Sequence, residues 1–84
     1  MVSVKIYYNG KYMAKAGVQS EEIKVDRDIN HAYKAIMEHL QQEHGIAPPL
    51  LLMVRGMHVM GAIHKKVRLS EGDVFQVLPF LSGG

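Results

Sequence analysis

The chain closes on Ser82-Gly83-Gly84, directly after an apolar run, and this is where its residue types suggest chemistry. Glycine has no Cβ, so a Gly-Gly segment lies extended in a slot too narrow for any other residue. The group that such a tail presents is the carboxylate of Gly84. The expectation is that Gly84 is itself the reactive group, delivered by the tail into the active site of another enzyme. Leu81-Ser82-Gly83-Gly84 is short, thin and free of charged side chains, and a charge would be costly to desolvate in a partner's pocket.

The remaining chemistry-bearing residues form no comparable set. Without cysteine there is no thiol nucleophile, disulfide or thiolate metal site. The five histidines are His31, His39, His44, His58 and His64, and no two stand at i, i+4. His31 and His39 would lie roughly 80° apart around a helix and would not converge. They read as separate surface residues, and no metal site is expected. Glu21-Glu22 and Glu71/Asp73 are turn or strand-edge carboxylates with no partner across a cleft, so acid–base catalysis lacks support. Gly56 and Gly61 are isolated turn glycines and make no phosphate loop.

Composition narrows the class further. At 84 residues the chain is one small domain, and 48% hydrophobic residues are ample for its core. Net charge is +2, with Lys65-Lys66-Val67-Arg68 the only basic cluster and no aromatic platform beside it, so nucleic acid is not an expected partner. The longest apolar block, Leu50–Val54, falls far short of the ~20 residues of a membrane helix, and Met1–Lys5 lacks a signal peptide's apolar run. A soluble, cytoplasmic protein without a membrane partner is expected. The six methionines read as core filler.

These residues need a scaffold, and the patterning supplies one. Val2, Val4 and Ile6 alternate with Ser3, Lys5 and Tyr7, the period of a half-buried strand. Asn9-Gly10 signals a hairpin to a second strand that ends near Glu22–Val25, with its start left open. Ile29, Ala32, Tyr33, Ile36, Met37 and Leu40 make one helical stripe, with Asp28 as N-cap and Gly45 as the left-handed stop. Pro48-Pro49 enforces an extended entry to a buried strand, Leu50–Val54. A turn at Arg55-Gly56, a short strand within Met57–Met60, a turn at Leu69–Asp73 and a last strand, Val74–Leu78, complete the order. One amphipathic helix covers one sheet face, which is an α+β arrangement. With the last strand beside the first, it is a β-grasp: a mixed sheet of four to five strands with one helix packed across it. The domain is expected over residues 1–80, followed by a flexible tail, 81–84.

Gly72-Asp73-Val74-Phe75-Gln76-Val77-Leu78-Pro79-Phe80-Leu81-Ser82-Gly83-Gly84 resembles the C-terminus of the ubiquitin-like sulfur carriers, the MoaD/ThiS family. The Gly-Asp turn, apolar strand, proline and small residue before Gly-Gly carry the likeness. Val54-Arg55-Gly56-Met57-His58-Val59 is similar to the family's Val-Asn-Gly turn, with Arg55 where asparagine is usual. Pro79-Phe80 departs from the double proline frequent in the molybdopterin branch.

The resemblance implies that an ATP-using, ubiquitin-activator-like enzyme adenylates Gly84. The acyl-adenylate then accepts sulfur from a donor and becomes a thiocarboxylate. In the molybdopterin branch the sulfur passes to a pterin precursor in the large catalytic subunit of molybdopterin synthase. The chain would be carrier and co-substrate, binding no cofactor of its own, with Phe80, Leu81, Ser82 and Gly83 threading into the partner. Alternation puts Tyr7 and Leu78 together on the uncovered sheet face, as a partner-docking patch. The thiamine-pathway carrier, a ubiquitin-like modifier conjugated through Gly84, and a plain interaction module are the rival readings.

Overall fold

A computed structural model describes residues 1–80. The chain runs β1 (Val2–Tyr8), α1 (Lys11–Ala16), β2 (Ser20–Val25), α2 (Ile29–His44), β3 (Leu50–Val54), β4 (Met57–His58), α3 (Val59–His64) and β5 (Val74–Pro79). The five strands form one sheet in the order β2-β1-β5-β3-β4. The parallel pair, β1 with β5, lies at its centre, with Ile6 opposite Phe75 and Tyr8 opposite Val77. β2 runs antiparallel to β1, and β3 antiparallel to both β5 and β4. This is the mixed β-grasp sheet that the element order implies.

Period-2 alternation decides which face is buried. Val2, Val4, Ile6 and Tyr8 of β1 and Phe75 and Val77 of β5 are buried, as are Leu52 and Val54 of β3. α2 lies over that face with Ile29, Ala32, Ile36 and Leu40 inward. Its ends match the sequence reading. The Asp28 side chain accepts from the His31 backbone N–H at 3.0 Å, and Gly45 takes the left-handed conformation after the last turn. The described residues bury no polar or charged residue, so packing of apolar side chains holds the layers together.

Two short helices add to the one that the periodicity reveals. Asn9-Gly10 does not close a tight hairpin. Gly10, at φ 57° and ψ −132°, opens α1, which bridges β1 and β2 and buries Tyr12. The strand expected within Met57–Met60 stops at His58, whose imidazole accepts from the Met60 N–H at 3.0 Å and so caps α3. Six-residue helices are too short to show a periodic stripe.

Candidate functional site

β5 carries the chain to its terminus. Its start is stitched to β1: Lys5 N–H donates to Asp73 O at 2.9 Å, and Gly72 N–H to Ser3 O at 2.9 Å. Its far end is held by the Asn9 N–H on Val77 O at 3.2 Å and by the pairing of Pro79 with Leu50. Pro79 has no N–H to donate, and the ladder stops there. Phe80 is the first residue beyond the sheet and is 54% exposed. It borders an open apolar hollow of about 310 Å³ formed with Tyr33, Met37, Pro48, Leu52 and Met60. Leu81, Ser82, Gly83 and Gly84, which complete the expected tail, lie outside the described residues.

The uncovered face is apolar near this exit. Tyr7 pairs with Gln76, which pairs with Met53, and Leu78 pairs with Leu51 one row further towards the tail. By strand alternation Tyr7 and Leu78 share this face, as the sequence suggests, and both are half-buried. Leu78 also edges a shallow groove with Met53, Gly56 and Val74. The rim of this face is fixed by Arg55, which grips Asp73.

A second cluster, which the sequence reading passed over, lies at the opposite edge of the sheet. The phenol of Tyr8 donates to Glu21 Oε1 at 2.8 Å. His39 Nε2 lies 2.5 Å and His44 Nε2 2.9 Å from the same oxygen. The His44 ring meets both Tyr8 and His39 edge-on, with centroids 5.5 Å apart in each pair. Burial alone would push the Glu21 carboxyl up, but the hydrogen bonds of His44, His39 and Tyr8 outweigh it and hold the group at about 2. Burial, aided by Glu21, drives the Tyr8 phenol far above its ordinary value. His39 and His44 are therefore not isolated surface residues, whereas His31, His58 and His64 are exposed. The overlooked signal is Glu21 itself, a carboxylate at the same strand parity as Ile23 and Val25.

The sheet order, the helix across one face and the strand leading to Gly-Gly define a ubiquitin-like β-grasp protein. The ThiS family model matches residues 6–84, and the chain belongs to the ThiS family. Its fold is the ubiquitin-like fold of the MoaD/ThiS sulfur carriers. A putative molybdopterin converting factor subunit 1 from Pyrococcus furiosus superposes with a TM-score of 0.70 at 21% identity, covering 96% of this chain and 100% of that one. The small archaeal modifier protein 1 of Methanosarcina acetivorans gives 0.67 at 16% identity, covering 100% and 98%. One chain of the protein-protein complex of subunit 1 and 2 of the molybdopterin-converting factor from Helicobacter pylori 26695 gives 0.55 at 19%, covering 99% and 100%. No curated protein sequence matches the chain. Among the described residues no helix is long and apolar enough to cross a membrane.

Proposed function

We propose that the chain carries sulfur as a Gly84 thiocarboxylate for molybdopterin synthesis. The observation that carries this reading is the course of β5. It is pinned between β1 and β3 and ends at Pro79, in a chain of the ThiS family whose sequence runs on from there to Gly83-Gly84. A carboxylate is a poor electrophile, so an ATP-using partner adenylates Gly84, and sulfur from a donor displaces AMP. The carrier's own side chains take no part in these steps.

The face bearing Tyr7 and Leu78 docks the activating enzyme and then the large catalytic subunit, while Phe80–Gly83 threads into each active site. The Helicobacter complex of two converting-factor subunits supports a large-subunit partner. Intact-mass measurement of protein taken gently from its own cells tests the reading. A species heavier by one oxygen-to-sulfur exchange, lost on deletion of Gly84, is expected. An unmodified mass with no such species overturns it.

The likeness to the archaeal modifier favours a second reading, conjugation of Gly84 to lysines of target proteins. Gly84-dependent conjugates of high mass would support it over the carrier alone.

A further inference from the structure

We propose that Glu21, His39 and His44 form a binding site for one divalent transition-metal ion, of which zinc is the type. Their ligating atoms lie within 4.8 Å of one another, one from edge strand β2 and two from α2. Two imidazoles and one carboxylate form a donor set of open zinc sites, in which a water or a partner's group fills the fourth position. Imidazole suits zinc, nickel and copper, whereas magnesium and calcium favour all-oxygen shells.

The geometry is close to what such an ion needs. Tetrahedral coordination at about 2.1 Å sets donor atoms about 3.4 Å apart. The two histidine nitrogens stand 2.5 and 2.9 Å from Glu21 Oε1, so each contact opens by less than an ångström. Both rings would then carry their proton on Nδ1 and turn the Nε2 lone pair to the ion.

Three further features favour a cation here. The Tyr8 hydroxyl braces the Glu21 carboxylate from inside the core, as outer-shell partners do in metal sites. The edge-on packing of Tyr8, His44 and His39 restricts both rings. Glu38 and Glu43 flank His39 in a shallow depression, and their charge draws cations to the opening. Glu21 and His39 are each 25% exposed and His44 13%, which leaves an entry path. A bound ion would join edge strand β2 to the C-terminal half of α2, a tie between segments 18 to 23 residues apart in sequence.

The test titrates the tag-free full chain with Zn²⁺ alone and, separately, with Co²⁺. One equivalent is expected to bind, with the visible absorption of low-coordinate Co²⁺. The His39 and His44 ring signals in NMR spectra should shift at one equivalent, while those of His31, His58 and His64 should not. His39→Gln and His44→Gln should each weaken binding at least tenfold, and Tyr8→Phe, which spares all three ligands, by roughly 10- to 100-fold. His31→Gln and His64→Gln should leave it unchanged. Absence of saturable binding overturns the site, as does binding that shifts the other histidines or survives His39→Gln and His44→Gln together. The wild-type spectra decide the matter even if a variant fails to fold.

Discussion

The Arg55 guanidinium holds the Asp73 carboxylate by two parallel hydrogen bonds, Nε to Oδ1 at 3.0 Å and Nη2 to Oδ2 at 2.8 Å. The clamp ties the β3–β4 turn to the loop that launches β5. Arg55 and Gly56 both have positive φ, 51° and 75°, the two-residue turn that matches the twist of an antiparallel pair. Arginine is an unfavourable residue at that first position, where asparagine is better tolerated. Its side chain recovers a forked ion pair, a geometry that lysine cannot copy.

Asp73 makes that clamp sensitive to pH. The hydrogen bond from Arg55, helped by the Ser70 N–H at 2.7 Å, holds its carboxyl below the ordinary value despite opposing burial. A depressed folded pKa contributes stability that is complete above the unfolded value, about 3.9, and lost as pH falls through the folded one. Asp73→Asn should therefore be less stable than wild type at pH 7, by about 1–2 kcal/mol. Urea midpoints should converge as pH drops below about 4. A gap that stays constant down to pH 2 would mean that the carboxylate charge is not what stabilises the loop.

Gly10 sits where a side chain is least welcome. At φ 57° and ψ −132° it occupies a region almost reserved for glycine, and it turns the chain out of β1 into α1. An added Cβ would meet only the Pro79 ring, at 3.8 Å, which is ordinary contact. The cost of Gly10→Ala is therefore backbone strain, about 1–3 kcal/mol. Thermal unfolding should show the loss. A neutral result would place the turn in a different conformation.

The long elements were legible in the sequence because each repeats its signal. Three alternating residues mark β1, six stripe residues mark α2, and Asp28 and Gly45 mark its ends. The short helices carry too few turns to repeat anything. In α3 only Val59 and Ala62 are buried, a pair equally at home in other structure. His58 caps it without being a usual capping residue. The Glu21 cluster was invisible for another reason. His39 and His44 are 18 and 23 residues from Glu21, and only the placement of α2 against edge strand β2 brings them together. Spacing along a helix identifies ligands that share a helix face, not ones gathered by tertiary packing.

Tyr8→Phe isolates one hydroxyl in that cluster. The phenol is buried to 1% exposure and donates to a carboxylate that also contacts two histidines. Its removal deletes one hydrogen bond to a charged group and leaves the ring packing unchanged. The expected loss is about 1.5–3 kcal/mol, read from urea unfolding at pH 7. A loss below about 0.5 kcal/mol would mean that water replaces the hydroxyl without penalty.

Leu78 separates docking from folding. It lies on the uncovered face opposite Leu51, whereas the neighbouring Val77 is buried in the core. Lysine at position 78 can lay its methylene stem over the same surface and keep its ammonium in water. Leu78→Lys should therefore keep the wild-type circular dichroism spectrum and change stability by less than about 1 kcal/mol. If the proposed face binds the large subunit, the new charge must be desolvated in the interface, and Kd should rise at least tenfold, about 1.4 kcal/mol. Tyr7→Ala should weaken the same complex, because aromatic residues commonly dominate such contacts. Calorimetric titration of each variant with the large subunit measures both effects. Unchanged affinity in both would remove the uncovered face as the docking surface and leave the tail beyond Phe80 as the sole contact to test.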